Sequence, residues 1–94
     1  MVRFIYKREG FQVTTEIRQA LYESGISLSL VHEIMALMEP KPLRVQRAFL
    51  LRLQGMTQQE IADVLEVDQA TVSRMFDAMI DVCGVLRENC VLLL

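Results

Sequence analysis

Apolar and polar residues alternate along the first positions of the chain. Val2, Phe4 and Tyr6 alternate with polar neighbours, and Gly10 follows the charged run Lys7-Arg8-Glu9. Strict alternation is typical of a half-buried strand, and glycine permits the positive φ that a tight turn needs. The pattern predicts a short β-hairpin or arm over residues 1–13.

From residue 14 onward the apolar residues recur every three or four positions, which is the spacing of helices with one buried face. The chain is therefore predicted to be mainly α. Glycines follow three predicted helix ends, at Gly25, Gly55 and Gly84, and Pro40 and Pro42 interrupt the pattern between two helices. The predicted helices cover residues 15–24, 27–38, 42–54, 58–65 and 69–83.

The chain has 94 residues, of which 52% are hydrophobic and 23% charged. This length and composition predict one folded domain. The longest apolar stretches, such as 91–94, are far shorter than the roughly 20 residues of a membrane span, and the N-terminus has no secretory pattern. We therefore expect no membrane partner and a cytoplasmic location.

Charge is distributed unevenly. Residues 1–55 carry eight Lys and Arg against five Asp and Glu, whereas residues 56–94 carry two against seven. An anionic partner is therefore expected to contact mainly the first half. The basic residues around the third predicted helix occupy one arc of its surface and form a basic ridge, which is Lys41, Arg44, Arg47 and Arg52.

Little in the sequence favours catalysis. The single histidine, His32, lies in an apolar run that predicts burial, and Cys83 and Cys90 are too few for a metal site. There is no phosphate loop and no nucleophile motif. We therefore predict a protein that is not an enzyme, with no cofactor and no metal.

Two helices joined by a very short turn form the most specific pattern. Thr57 and Glu60 have the spacing of a capping box, and Asp68 is placed to cap the next helix. This arrangement resembles the helix-turn-helix of DNA-binding transcriptional regulators. In that family a small residue stands where the two helices cross, and Ala62 matches it. The turn position that is commonly glycine in the family is Glu66 here, which predicts modest strain at a positive φ.

Over residues 43–80 the chain is similar to the Trp repressor family, to sigma-factor region 4 and to LuxR-type output domains. The resemblance implies that the second helix enters the major groove and reads bases from its N-terminal turns. The implied base contacts are Gln69, Ala70, Ser73 and Arg74.

Phosphate contacts are expected from two threonines and from the basic ridge, which are Thr57, Thr71, Lys41, Arg44, Arg47 and Arg52. The resulting division of the chain is an arm or hairpin over 1–13, a helical core over 14–40, a helix-turn-helix unit over 42–83 and a tail over 84–94. The tail is predicted either as a hairpin resembling a wing or as a continuing helix.

The predicted function is sequence-specific binding to double-stranded DNA by a small repressor, with a small-molecule effector left open. The apolar residues 91–94 favour a homodimer that buries this tail, together with Phe4 and Tyr6. The alternative is a helix-turn-helix used for protein contact, docking through its acidic half on a transcription factor or a polymerase subunit.

Overall fold

The computed structural model describes residues 10–89, with side chains from residue 13 onward. Within this range the chain is all helical, without strands. Its six helices are α1 (Gly10–Glu23), α2 (Leu28–Met38), α3 (Leu43–Leu53), α4 (Gln58–Leu65), α5 (Gln69–Asp77) and α6 (Ile80–Glu88). None of the described helices is long and apolar enough to cross a membrane.

Helix α1 begins earlier than predicted. Val13, Ile17 and Leu21 are fully buried, and their spacing of four residues places them on one helical face against the core. Residues 10–13 therefore extend the helix instead of forming part of a hairpin, and Gly10 is its first residue, not a turn. The predicted arm over residues 1–9 lies outside the described part of the chain.

The turns after α1 and α3 have the same hydrogen-bond pattern. In the first, the backbone N–H of Ile26 donates to the carbonyl of Leu21 at 3.2 Å, and Gly25 has φ +81°. In the second, the N–H of Met56 donates to the carbonyl of Leu51 at 3.2 Å, and Gly55 has φ +94°. This left-handed glycine cap satisfies the last helical carbonyls and confirms the stop signals read at both glycines.

Helix α3 is central to the core and packs on α1, α4 and α5. Ala48, Phe49, Leu50 and Leu51 are fully buried in succession, so the helix is covered on most of its circumference. The basic ridge lies on what remains of its surface and just before it. Helix α3 thus positions both the ridge and the helix-turn-helix that follows.

Gln46 is the one buried polar residue identified among the described residues. Its side-chain amide donates to the carbonyls of Met38, Glu39 and Lys41 at 3.0, 3.2 and 3.1 Å. Carbonyls at a helix C-terminus have no partner within the helix. Gln46 therefore caps the end of α2 from α3 and fixes the loop between the two helices.

The helix-turn-helix consists of α4, a three-residue turn and α5. Thr57 and Glu60 form the predicted capping box: the Thr57 Oγ1 accepts from the Glu60 N–H at 3.2 Å, and the Glu60 Oε1 accepts from the Thr57 N–H at 2.9 Å. Ile61 and Ala62 are the residues of α4 buried beneath α5. The small side chain of Ala62 allows the two helices to approach closely.

Glu66 adopts the left-handed conformation at the end of α4, with φ 59° and ψ 45°. It is the one non-glycine residue with positive φ in the described chain. The strain expected from the sequence is therefore present.

We expect Glu66→Gly to stabilise the protein by about 0.5–1 kcal/mol, because glycine adopts this conformation without a clash between its side chain and the backbone. Thermal and urea unfolding measure the change. Glu66→Ala is the matched control, because it removes the same carboxylate and keeps a Cβ, and its stability should stay near wild type. A Gly variant no more stable than the Ala variant would contradict the strain.

The C-terminal part of the helix-turn-helix unit differs from the prediction. A single helix was expected over residues 69–83, but the chain breaks at Ala78 and Met79 and resumes as α6. Gly84 lies inside α6 and does not end it, and residues 85–88 continue this helix. Of the two structures predicted for this part, the continuing helix is therefore confirmed over residues 85–88 and the hairpin is wrong there. The side chains of Met79, Val82 and Leu86 are buried in the core and hold this part of the chain in place. Residues 90–94 lie outside the described range.

Candidate nucleic-acid interface

Helix α5 presents one exposed face to solvent. Val72 and Met75 are buried, which turns the rest of the helix outward. The four residues predicted to contact bases are all exposed and form two adjacent rows of i, i+4 neighbours, which are Gln69 with Ser73 and Ala70 with Arg74. The structure therefore brings the four residues together on one surface near the N-terminus of α5.

Arg74 belongs to a short chain of hydrogen bonds. Its Nη2 donates to the Thr71 Oγ1 at 3.2 Å, and the Thr71 backbone N–H donates to the Asp68 Oδ1 at 2.7 Å. Asp68 is the N-cap of α5, as predicted. The guanidinium is thus directed back toward the start of the helix, and the donors that this bond does not use remain for a ligand.

The hydrogen bonds from the Thr71 side chain and backbone lower the pKa of Asp68, with a further contribution from the positive charge of Arg74. Because the folded state favours the ionised form, Asp68 stabilises the fold at pH values above the pKa that this carboxyl has in the unfolded chain. This contribution is lost as the pH falls through the lower folded pKa.

We expect the stability of wild type to decrease below about pH 4, partly through this group. Asp68→Asn should show a shallower dependence over the same range, because asparagine also caps helices well but does not titrate. Urea unfolding between neutral pH and acid measures both slopes. Equal slopes for the two proteins would exclude Asp68 as a contributor.

The residues of the basic ridge differ in their exposure and in their contacts. Arg44 is exposed and Arg47 is half-buried. Lys41 instead forms an ion pair with Asp81 of α6 at 3.0 Å, and its side chain is only 14% exposed. Partial burial opposes ionisation of Asp81, but hydrogen bonds from Lys41 and from the Val82 N–H outweigh it and lower the pKa of Asp81.

Arg52 and Thr57 lie at one cleft. The Arg52 Nη1 donates to the carbonyl of Met56 at 2.7 Å, directly before Thr57. The cleft has a volume of about 290 Å³ and is lined by Arg52, Thr57, Gln58, Phe76 and Cys83. One wall is polar, formed by the end of α3 and the start of α4, and the other is apolar, formed by α5 and α6.

Cys83 contributes to the apolar wall as a half-buried thiol. Burial raises the pKa of this thiol, and the nearby charge of Arg87 partly offsets the effect. The sequence did not indicate that Cys83 lies beside Thr57 and Gln58, because this proximity depends on how α6 packs, which local spacing does not reveal.

Acidic side chains surround α5. Asp63, Glu66, Asp68 and Asp77 are all exposed, so Arg74 stands among negative charges. His32, predicted to be buried, is exposed at a shallow groove beside Arg18 and Glu39. It lies on α2 and takes no part in the α5 surface.

The short turn, the capped helices and the outward face of α5 define a helix-turn-helix of the DNA-binding class. Residues 31–76 match the family model described as Sigma-70, region 4. This family is a helix-turn-helix DNA-binding regulatory domain rather than an enzyme. No curated protein and no solved structure matches the chain significantly.

The matched segment comprises most of α2, all of α3 and α4, and α5 up to Phe76. The matched segment therefore begins and ends earlier than residues 43–80, the range over which the sequence resembles helix-turn-helix proteins. Helices α1 and α6 lie outside it. They pack on the matched segment, α1 on α2 and α3 and α6 on α2.

Proposed function

We propose that this protein is a transcriptional regulator that binds a specific site in double-stranded DNA with α5 in the major groove. The observation that carries the proposal is the exposed α5 face formed by Gln69, Ala70, Ser73 and Arg74. The helix-turn-helix supplies the docking geometry, because its first helix crosses the backbone while its second reads base edges.

The chemistry of these side chains suggests their partners. Gln69 suits a bidentate pair with adenine, Ala70 contact with a thymine methyl group, and Arg74 the acceptors of guanine or a phosphate. The Ser73 hydroxyl accepts or donates to several base edges. The hydrogen bond from one Arg74 nitrogen to Thr71 restricts the side-chain conformations of Arg74 and keeps the guanidinium near the N-terminus of the helix.

For the phosphates we propose Thr57, Thr71 and the basic ridge. Arg44 is the ridge residue best placed for this role, because it is exposed. Lys41 and Arg52 already bind Asp81 and the Met56 carbonyl, so their phosphate contacts would replace or share these bonds. Arg47 contributes from a half-buried position.

We further propose a mode of action, an oligomeric state and a location for the protein. The protein acts as a repressor, since site occupancy alone is sufficient and the described helices are all used in the core or in the helix-turn-helix. It acts as a homodimer on paired half-sites, as helix-turn-helix proteins commonly do. We place it in the cytoplasm, together with the DNA.

The first test is fluorescence anisotropy of the purified chain with a pool of labelled random duplexes, across a salt titration and with selection of the bound sequences. Binding that weakens steeply with salt and enriches a palindrome supports a dimeric DNA reader. A folded protein that binds no duplex at low salt would refute the proposal.

We expect Arg44→Ala to weaken binding to all duplexes alike and to lower the slope of log affinity against log salt by about one, because it removes a single phosphate contact. The ranking of selected sequences should not change. Arg18→Ala is a control, because it removes an arginine on α1, where Arg18 is paired with Glu39 at 3.4 Å. A changed sequence preference in Arg44→Ala would contradict a pure phosphate role.

The acidic residues around α5 favour a second candidate, a module that docks through its acidic face on a basic surface of a transcription factor or polymerase subunit. Its sequence support is the excess of seven acidic over two basic residues in 56–94. Binding to a basic protein partner that persists in Arg74→Ala, with no duplex binding, would favour this function over DNA recognition.

A further inference from the structure

The cleft beside the helix-turn-helix has two chemically different walls. Arg52, Thr57 and Gln58 form the polar wall. Phe76 and Cys83 form the apolar wall. The volume of about 290 Å³ lies near the lower end of the range of small-molecule sites, which is roughly 300–1,000 Å³. The cleft therefore suits a small molecule with one polar end and one apolar body.

The polar wall offers hydrogen-bond donors and a positive charge. The Arg52 guanidinium is half-buried, and its Nη1 donates to the Met56 carbonyl at 2.7 Å. This bond holds the guanidinium at the cleft and leaves its other N–H groups for a ligand. The Thr57 Oγ1 accepts from the Glu60 N–H, so its own O–H remains able to donate. A guanidinium and a hydroxyl together suit a carboxylate, which accepts several hydrogen bonds.

The charges around the cleft favour an anion. Among the described residues, no acidic side chain lines the cleft. The Glu60 carboxylate, next to the polar wall, accepts from the Thr57 N–H in the capping box, and Asp81, near Cys83, is paired with Lys41. Burial raises the pKa of the Cys83 thiol, so this thiol is uncharged at neutral pH. Arg52 is therefore the charged group that a ligand in the cleft meets directly.

The apolar wall suits a ring. Phe76 and Cys83 are both half-buried: each packs against the core and also lines the cleft. A ligand ring that packs on Phe76 removes apolar surface of both partners from water, and aromatic pairs gain further from stacked or edge-to-face contact. A DNA phosphate needs only the polar wall, so the apolar wall points to a different ligand.

We propose that this cleft binds a small aromatic carboxylic acid, with its carboxylate on Arg52 and Thr57 and its ring on Phe76 and Cys83. The ligand is an effector, because its carboxylate competes with DNA phosphate for Arg52 and Thr57. This effect rests on the proposed function, whereas binding of the acid does not. The four proposed base contacts do not line the cleft, so the acid weakens duplex binding without changing sequence preference.

The first experiment uses Cys83 as a reporter of the cleft. A Cys90→Ser protein has Cys83 as its one thiol, and its alkylation by iodoacetamide, a neutral reagent, is followed by mass spectrometry. Phenylacetate supplies ring and carboxylate, phenylacetamide the ring without the charge, and acetate the charge without the ring. We expect saturating phenylacetate to slow alkylation about fivefold or more, because protection rises with occupancy, and both controls to have little effect.

Two variants locate the carboxylate. Arg52→Gln should lose the protection by phenylacetate. Arg18→Gln should keep it, because Arg18 is paired with Glu39 and does not line the cleft. Circular dichroism checks that both variants fold, and the comparison of phenylacetate with its amide needs neither of them.

Three results would overturn the proposal. They are equal protection by phenylacetate and phenylacetamide, no protection by phenylacetate, and a Cys83 that does not react even without an additive. The last result would show that the cleft is closed to small molecules.

The second experiment repeats the anisotropy measurement on the selected duplex with saturating phenylacetate, against acetate at the same concentration. We expect phenylacetate to weaken binding about fivefold or more, through mass action on the free protein. Unchanged affinity would overturn the effector role. A protein that binds phenylacetate but no duplex would refute the proposed DNA function and leave the cleft site standing. A protein that binds its duplex but not phenylacetate would do the reverse.

Discussion

Replacing Gln46 by methionine is expected to destabilise the protein by about 1–3 kcal/mol, the cost of a buried acceptor left without a partner. Methionine retains the length and apolar volume of the side chain but donates no hydrogen bond, so the carbonyls of Met38, Glu39 and Lys41 lose this donor. The Met38 carbonyl still accepts from the Lys41 N–H at 3.0 Å, so the cost falls mainly on the carbonyls of Glu39 and Lys41. Urea unfolding at neutral pH, read as a shift of the midpoint at constant slope, measures the loss.

Gln54→Met is the matched control, because Gln54 follows the same helix but is exposed. Its stability should change by less than about 0.5 kcal/mol. A Gln46→Met protein as stable as the control would show that water or a shifted backbone satisfies the end of α2, and that Gln46 does not fix the loop.

Arg74→Ala is expected to weaken binding to the selected duplex by about 1–3 kcal/mol, or roughly 5- to 150-fold, and to relax preference at one base position. The guanidinium is the one basic group on the exposed face of α5, so no neighbour on that face replaces it. Anisotropy with the selected duplex and with single-base variants measures both effects.

Two controls separate recognition from charge. Arg87→Ala removes the same charge from an exposed position at the end of α6 and should change affinity little. Arg74→Lys keeps the charge but lacks the planar fork, so it should retain phosphate attraction and lose base preference. If Arg74→Ala keeps full affinity and preference, Arg74 is not a base contact.

Signals carried by residues close together in the sequence were sufficient to predict the middle of the fold. The capping box at Thr57, the N-cap at Asp68 and the glycine stops at Gly25 and Gly55 depend on residues three or four positions apart, and all are confirmed. The helix-turn-helix and the shared face of its four predicted base contacts follow from these signals.

Features set by tertiary packing could not be predicted. The break at Ala78 and Met79 has no glycine or proline to mark it, and Gly84 is tolerated inside α6 because that helix is held by Val82 and Leu86. Gly10 is a similar case. The sequence pattern predicts a turn there, and only the buried face of α1 shows that Gly10 begins a helix.

The basic ridge illustrates the same limit for the site. A helical wheel gives the direction of each side chain but not its partner, so the pairing of Lys41 with Asp81, 40 residues away, is invisible in the sequence. Gln46 was missed for a related reason, since its three acceptors belong to the preceding helix end and loop.

The acidic surroundings of α5 have a consequence for how the protein would find its site. Affinity for random DNA comes almost entirely from phosphate neutralisation, and Asp63, Glu66, Asp68 and Asp77 oppose it near the reading helix. If the proposed DNA function holds, we expect the protein to slide little along the duplex and to reach its site mainly by repeated collisions from solution. Its search time would then depend more on the number of protein copies than on the length of flanking DNA.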